Sequence, residues 1–301
     1  MDTDKKAISR RLPPWLKKRL SLSDSVHSMK QALRLHGLHT VCEEAHCPNM
    51  GECFRRGTAT IMIMGDLCTR NCRFCAVSHG TPAPLDLNEP GRVAGQISKL
   101  GLKHAVVTSV TRDDLPDGGA SHFAQTVRAI VEICPETTVE VLTPDFEGRE
   151  RDIGAVLESG PHVFNHNIET VERLTDSVRC RASYQRSLGV LKTARRIIDS
   201  GVFCAGGGSR GRGLVKSGIM VGLGESDMEI ETTLTHLADA GADIVTIGQY
   251  LRPSKDELEV ARYVEPETFR EYEKIGLKLG IKQMFCGPFV RSSYLADKAI
   301  L

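Results

Sequence analysis

The chain has 301 residues, and its 39 Lys and Arg against 38 Asp and Glu leave a formal charge of only +1. This balance excludes an overall basic footprint for nucleic acid. With 41% hydrophobic residues, the chain is expected to bury a core rather than to remain disordered. Apolar runs stay far below the roughly 20 residues that a membrane span needs, and residues 1–11 lack the apolar region of a secretory signal. We therefore expect a cytoplasmic protein without a membrane span.

Strand-like and helix-like segments alternate from residue 58 onward. Strands are predicted at 59–64, 104–110, 137–142, 162–168, 215–221, 243–248 and 281–285. Helices are predicted at 89–100, 120–133, 148–159, 184–199, 227–240 and 266–279. Several of them end at a glycine before the next strand, at Gly101, Gly160, Gly201, Gly241 and Gly280.

This alternation predicts a parallel sheet covered by helices. Six or seven units are fewer than the eight of a closed barrel, so the predicted fold is α/β, a partial (β/α)6 barrel. The chain divides into an N-terminal extension (1–57), the barrel (58–285) and a C-terminal tail (286–301).

Ten cysteines give the clearest functional signal. Six of them form two triplets, the first with x4 and x5 spacing (Cys42, Cys47, Cys53) and the second with x3 and x2 spacing (Cys68, Cys72, Cys75). A disulfide framework belongs to short secreted chains, which this chain is not. The scattered Cys134, Cys180, Cys204 and Cys286 are interpreted as buried or incidental thiols.

Two kinds of metal centre suit the triplets. Structural zinc needs four ligands, and His46 or His79 could complete one of the two sets, although a histidine beside such a motif is usually incidental. An iron–sulfur cubane held by three thiolates leaves one iron open for a substrate or cofactor. The spacing favours two iron–sulfur clusters and leaves zinc as the alternative.

The second triplet, with Phe74 before its last cysteine, resembles the signature of the radical S-adenosylmethionine (SAM) superfamily. Together with VCEEAHCPNMGECF around the first triplet, it narrows the resemblance to the lipoyl synthases. The resemblance covers roughly residues 12–297 and continues in TSVTRDDLPDGGASHF (108–123), VEVLTPDF (139–146), NHNIETV (165–171), KSGIMVGLGE (216–225), TIGQYLRPS (246–254) and GPFVRSSY (287–294).

The resemblance implies a radical SAM barrel with two 4Fe–4S clusters and SAM. Cys68, Cys72 and Cys75 would hold the cluster that chelates and cleaves SAM. The other triplet would hold an auxiliary cluster that is consumed as the sulfur source. In this family the first serine of the RSSY motif, here Ser292, is the fourth auxiliary ligand, with Ser293 as the alternative.

The implied reaction inserts two sulfur atoms at carbons 6 and 8 of an octanoyl chain on a carrier-domain lysine. The implied partners are octanoylated lipoyl carrier domains (2-oxoacid dehydrogenase E2 subunits and the glycine cleavage H protein), an electron donor such as ferredoxin or flavodoxin, and iron–sulfur assembly or carrier proteins. Nucleic acid and membrane are not among the expected partners, and a monomer is expected.

Two positions are candidates for contact with SAM. Thr108 and Ser109 end the second predicted strand, where related enzymes bind the methionine end, and a polar strand terminus is the alternative. Glu169 ends the fourth predicted strand and could bind the ribose hydroxyls, with a helix N-terminal acid as the alternative.

Some features fit less well. The segment 204–213, CAGGGSRGRG, is predicted to be a flexible surface loop, because a dinucleotide-binding turn would lead into a helix and a strand follows here. Cys180 and residues 258–260 are also atypical for the family. Two other functions compete: a sulfur-inserting radical SAM enzyme acting on tRNA, and a zinc-stabilised scaffold or electron-transfer module.

Overall fold

A single sheet of eight strands forms the centre of the molecule. The computed structural model describes residues 12–17, 31, 39–44, 47–201, 213–294 and 296–300. The strands lie in sequence order in the sheet: β1 (His39–Thr40), β2 (Thr58–Ile63), β3 (His104–Ser109), β4 (Thr138–Leu142), β5 (Val163–Asn165), β6 (Leu214–Val221), β7 (Ile244–Gln249) and β8 (Gln283–Gly287). β1 is antiparallel to β2, and every pair from β2 to β8 is parallel.

The helices are α1 (Val41–Glu44), α2 (Met50–Arg55), α3 (Glu89–Leu100), α4 (Ala120–Ile133), α5 (Glu150–Leu157), α6 (Thr175–Val178), α7 (Tyr184–Asp199), α8 (Asp227–Asp239) and α9 (Pro266–Lys278). Short 3₁₀ turns cover Pro14–Leu16, Phe146–Gly148, Glu172–Leu174 and Ala296–Ile300. Six longer helices connect seven parallel strands, and within the described residues β8 does not pair with β2. The predicted partial (β/α)6 barrel is confirmed: six strand–helix units are followed by a seventh parallel strand, β8.

Burial on both faces explains the apolar strands. All six residues of β2 are buried, and Ile61, Ile63, Val106 and Val139 are fully enclosed. Parallel strands covered by helices on one face and by barrel contents on the other carry nearly continuous runs of such residues. The fully buried Glu140 lies among them, so the barrel interior also contains charge.

Glycines in the left-handed region end the helices where the sequence predicts. Gly101 follows α3 with φ 58°, and the glycines at 160, 201, 241 and 280 have φ between 75° and 93°. A residue without Cβ adopts this conformation without steric cost. At the other end, Ser226 and Glu229 form a capping box that starts α8. The chain can therefore turn into each next strand within a few residues.

Three predictions need correction or fall outside the structure. The predicted strand 162–168 is only Val163–Asn165, because the Ile168 N–H bonds the Ser217 hydroxyl instead of a backbone carbonyl of β6. The first triplet, which the nearby Pro48 and Gly51 predict to lie in a loop, is partly helical, since Cys42 lies in α1 and Cys53 in α2. The glycine-rich segment lies outside the described residues except for residue 213. None of the described helices is both long and apolar enough to span a bilayer.

Candidate active site

One cavity lies at the carboxyl ends of the parallel strands. Its volume is about 540 Å³, and both cysteine triplets line it. Polar side chains from the strand ends, the loops and the tail also line it: Ser109, His166, Asn167, Glu169, Arg179, Ser292 and Ser293. Parallel α/β folds place their chemistry at this end of the sheet, and residues from both extensions of the barrel reach it here.

The second triplet occupies the loop between β2 and α3. The backbones of Cys68 and His79 form an isolated parallel β-bridge, and the Cys68 N–H donates to the Ser78 carbonyl at 2.8 Å. Its sulfur accepts backbone N–H bonds from Arg70 at 3.4 Å and from Thr111 at 3.3 Å. Two donors directed at one sulfur fix its position at the cavity.

Burial makes three thiols of the two triplets hard to ionise in the metal-free chain. It raises the pKa of Cys42 to about 11 and that of Cys75 to about 12. It also raises the pKa of Cys72, against the opposing effects of the Cys180 N–H and the Arg179 charge. These thiols are protonated at neutral pH, so metal binding must displace their protons.

Arg70, which lies between Cys68 and Cys72, holds the loop of the second triplet through two carboxylates. The sequence did not predict this role. Its guanidinium bonds Asp113 twice at 2.8 Å and Asp145 at 2.9 and 3.1 Å. Burial alone would raise the pKa of Asp145, but Arg70 holds it well below its usual range. A charged network of this geometry fixes the backbone between Cys68 and Cys72.

The two positions expected to contact SAM both lie at the cavity. Ser109 ends β3, the second parallel strand, and in the described part of the chain its buried hydroxyl has no hydrogen-bond partner. The hydroxyl of Thr108 is committed to the Leu142 carbonyl at 2.9 Å. Of the two, only Ser109 therefore has a hydroxyl left for a ligand.

Glu169 does not end a strand, which corrects the prediction. It lies four residues beyond β5 with φ 66°. Its N–H donates to the Gly218 carbonyl and its carbonyl accepts from Met220, at 2.9 and 2.8 Å. Burial raises the pKa of its carboxyl group, opposed by the Arg179 charge and a hydrogen bond with Asn167. Its backbone is thus fixed against β6 with the side chain at the cavity.

Arg179 is a buried cation at the same cavity, and no sequence pattern predicts it. Its guanidinium donates to the Ile168 carbonyl at 3.2 Å and to the Ser187 hydroxyl at 2.9 Å, both neutral oxygens. His166 shares the same Ser187 hydroxyl at 3.0 Å. Burial lowers the pKa of Arg179, while nearby Glu169 and Cys72 raise it. Because the guanidinium lies at the cavity, an anion placed there would contact this cation.

The C-terminal tail reaches the first triplet. The Asn49 amide donates to the Phe289 carbonyl at 2.6 Å, and Arg56 forms an ion pair with Asp297. Ser292 therefore lies at the cavity, where its hydroxyl oxygen accepts a bond from the Asn165 amide at 2.8 Å. Ser293 lines the cavity as well.

The described residues do not form a single-ion site. Across that part of the chain, no three Cys, His, Asp or Glu side chains are grouped so that one metal ion could be held. The zinc alternative receives no support from His79, and His46 lies outside the described residues.

Sequence comparisons identify the family. A family model described as "Radical SAM superfamily" matches residues 62–237, and one described as "N-terminal domain of lipoyl synthase of Radical_SAM family" matches residues 2–47. A lipoyl synthase of Caldanaerobacter subterraneus is 55% identical over 287 residues, covering 95% of this chain and 96% of the relative. The chain belongs to the lipoyl synthase family. Lipoyl synthases of Thermus thermophilus and Bacteroides fragilis are 49% and 47% identical, over 98% and 100% of this chain and 88% and 98% of theirs.

Membership of the lipoyl synthase family confirms the predicted family and enzyme class. It also implies a 4Fe–4S cluster and SAM, the cofactors common to radical SAM enzymes. Solved structures agree on the fold. Streptococcus suis SuiB bound to a precursor peptide has a TM-score of 0.57 at 10% identity, covering 87% of this chain and 52% of that one. The FeFe-hydrogenase maturase HydG from Carboxydothermus hydrogenoformans has 0.56 at 13%, covering 90% and 74%.

Proposed function

We propose that this chain inserts two sulfur atoms at carbons 6 and 8 of an octanoyl group carried by a lipoyl domain. The observation that supports this most is that two cysteine triplets and a serine from the tail meet at one cavity. One triplet would serve SAM cleavage and the other would serve sulfur donation. The match to lipoyl synthases along nearly the whole chain supports the same reaction.

Cys68, Cys72 and Cys75 would hold the cluster that binds SAM. The residues fit such a group, because their loop lies at the cavity and two backbone N–H groups point at the Cys68 sulfur. When bound there, the cluster and SAM supply a carbon radical that takes hydrogen from an unactivated C–H bond. Arg70 keeps the loop in place through Asp113 and Asp145, so the ligands are preorganised.

Ser109, Glu169 and Arg179 would bind SAM. The free hydroxyl of Ser109 suits its amino acid end, and the carboxylate of Glu169 suits two ribose hydroxyls. Arg179 offers a cation bonded only to neutral oxygens, which suits the SAM carboxylate. These side chains come from three segments around the cavity mouth and would orient the ligand.

Cys42, Cys47 and Cys53 would hold an auxiliary 4Fe–4S cluster, with Ser292 as the fourth ligand. Serine oxygen is a harder ligand than thiolate, so its iron is the one most readily released. We further propose that the inserted sulfur comes from this cluster. The hydrogen bonds that join the tail to the first triplet support this assignment, because they hold Ser292 at the same cavity.

The substrate would be a whole octanoylated carrier domain or a peptide from it. A cavity of about 540 Å³ can take an alkyl chain, while the flanking protein surface supplies the binding energy that orients it. A one-electron donor such as ferredoxin or flavodoxin and an iron–sulfur assembly protein would complete the cycle. The cytoplasmic location and the monomeric state stay predictions.

Anaerobic turnover tests the proposal. The reconstituted protein is mixed with SAM, dithionite and an octanoyl-lysine peptide from a carrier domain, and products are identified by mass spectrometry. We expect a dithiolated peptide together with 5′-deoxyadenosine. Deoxyadenosine without any sulfur-containing peptide would contradict the function, and equal turnover of free octanoate would contradict the carrier-domain substrate.

A further inference from the structure

The Ser292 hydroxyl lies between two asparagine side chains of the barrel. The Asn165 Nδ2 donates to it at 2.8 Å, and the hydroxyl itself donates to the Asn167 Oδ1 at 3.0 Å. Asn165 is the last residue of β5 and is fully buried. A strand of the barrel therefore contacts the hydroxyl of Ser292, which is the proposed fourth ligand of the auxiliary cluster.

The orientation of the Asn165 amide is fixed from the opposite side. The same Nδ2 donates to a Glu140 carboxylate oxygen at 2.8 Å, and the Lys216 Nζ bonds both oxygens of that carboxylate at 3.0 Å. Burial alone would raise the pKa of Glu140, but Lys216 and its other partners lower it to about 2. An ionised carboxylate only accepts hydrogen bonds, so the amide must turn its nitrogen toward Glu140. Its second N–H then faces Ser292.

The two bonds to Ser292 differ in what they leave available. The bond from Asn165 uses one lone pair of the oxygen, so a further lone pair can bind a metal. The bond to Asn167 uses the hydroxyl proton instead. Contact with Asn165 is therefore compatible with Ser292 acting as a ligand, and it restricts where the oxygen can lie.

We propose that Asn165 is a positioning residue for Ser292, with an amide that is oriented by Glu140 and holds the serine oxygen toward the auxiliary cluster. This inference rests on the proposed role of Ser292 as the fourth auxiliary ligand. The positioning residue belongs to a strand of the barrel and the proposed ligand belongs to the tail, 127 positions later in the chain. The barrel interior would therefore help to set the geometry of the auxiliary cluster.

The test uses a chain that can hold only the auxiliary cluster. In a Cys68→Ala, Cys72→Ala, Cys75→Ala background, loss of one iron reports on a single site. Asn165→Asp keeps the side-chain shape but replaces the donor by an oxygen, and Asn165→Ala removes it without adding charge beside Glu140. After anaerobic reconstitution and a fixed exposure to EDTA and ferricyanide, which remove one iron and take up one electron, the oxidised three-iron cluster is quantified by electron paramagnetic resonance. We expect its fraction to rise about 2- to 10-fold, the factor expected for one hydrogen bond.

Controls separate this inference from the ligand assignment. Ser292→Ala in the same background must also raise the three-iron fraction, and if it does not, the proposed ligand is wrong. If Ser292→Ala raises it while both Asn165 variants match the parent, the positioning role is wrong. His104→Gln disturbs the same buried group, because His104 lies 3.7 Å from Glu140 and bonds Thr138. We expect the parent value there, and an equal rise would mean general disturbance of the core.

A second readout needs no cluster. Hydrogen exchange of backbone amides 290–294 in the metal-free chain should be faster in both Asn165 variants than in the parent and in His104→Gln. Circular dichroism and thermal unfolding show that each variant is folded. Unchanged exchange in the tail of both variants would overturn the claim that Asn165 holds this segment.

Discussion

The Tyr294 hydroxyl donates a hydrogen bond to the Glu52 carboxylate at 3.0 Å, and this bond joins the C-terminal tail to α2, which contains Cys53. A residue near the end of the chain thus contacts the helix of the first triplet, 242 positions away. Ser292 is two positions from Tyr294, so the position of α2 and the position of the serine depend on each other.

Tyr294→Phe tests this dependence. Losing one partly buried hydrogen bond costs about 1 kcal/mol, which loosens the tail without removing a proposed ligand. We expect lipoyl formation to fall about 2- to 10-fold, while SAM cleavage without carrier peptide stays near the parent rate. Both rates are measured in one reconstituted preparation. Tyr263→Phe is the matched control, because that tyrosine is also half-buried and is not one of the residues that line the cavity. A similar loss in that variant would argue against a specific role for Tyr294.

Substitution of the second triplet should stop the radical chemistry. Cys68→Ala, Cys72→Ala or Cys75→Ala removes one of only three thiolates on the SAM-binding cluster. We expect 5′-deoxyadenosine formation to fall to background under dithionite, measured by liquid chromatography. Cys134→Ala is the control, because that buried thiol bonds the Ala94 carbonyl away from the cavity. Substantial SAM cleavage by any variant of the triplet would contradict the assignment.

Substitution of the first triplet should separate the two half-reactions. Cys42→Ala, Cys47→Ala or Cys53→Ala leaves the loop after β2 intact, and Arg70 with its two carboxylates still fixes that loop. We expect such variants to cleave SAM at a measurable rate and to form no lipoyl product. Product is followed by mass spectrometry of the carrier peptide. Sulfur insertion by a variant without the auxiliary cluster would show that the sulfur has another source.

Local patterns explain what the sequence could predict. Thiol spacing within each triplet and the glycines that end helices act over a few residues, so they are visible in the chain. The Arg70–Asp145 pair spans 75 positions and exists only after the sheet has formed, so no spacing indicates it. The predicted strand 162–168 was too long for a related reason. Ile168 continues an apolar pattern, but its N–H bonds the Ser217 hydroxyl instead of extending the ladder.

Arg179 should control the affinity for SAM. Arg179→Met removes a buried cation but keeps much of the side-chain length, and a charge-assisted hydrogen bond lost to the ligand would raise the KM for SAM about 10- to 100-fold. The KM is measured from deoxyadenosine formation. Arg181→Met is the control, because its guanidinium is largely exposed and lies 3.6 Å from Asp113. An unchanged KM in Arg179→Met would contradict the assignment of this cation to SAM.

The buried pair of Glu140 and Lys216 should make the stability of the metal-free chain depend on acid. The pKa of Glu140 falls from 4.5 to about 2 on folding. A group with a lowered folded pKa stabilises the protein above its unfolded pKa, and this contribution is lost as the pH falls through the window between the two values. We expect the free energy of unfolding to drop between pH 5 and about pH 2, by roughly 3 kcal/mol from this one group.

The double variant Glu140→Gln, Lys216→Met removes the charges at similar volume and avoids leaving one buried ion alone. Denaturant unfolding at several pH values compares the two chains. A drop of equal size in the double variant would mean that other carboxylates cause it, and a smaller drop would assign the difference to the barrel interior that also orients Asn165.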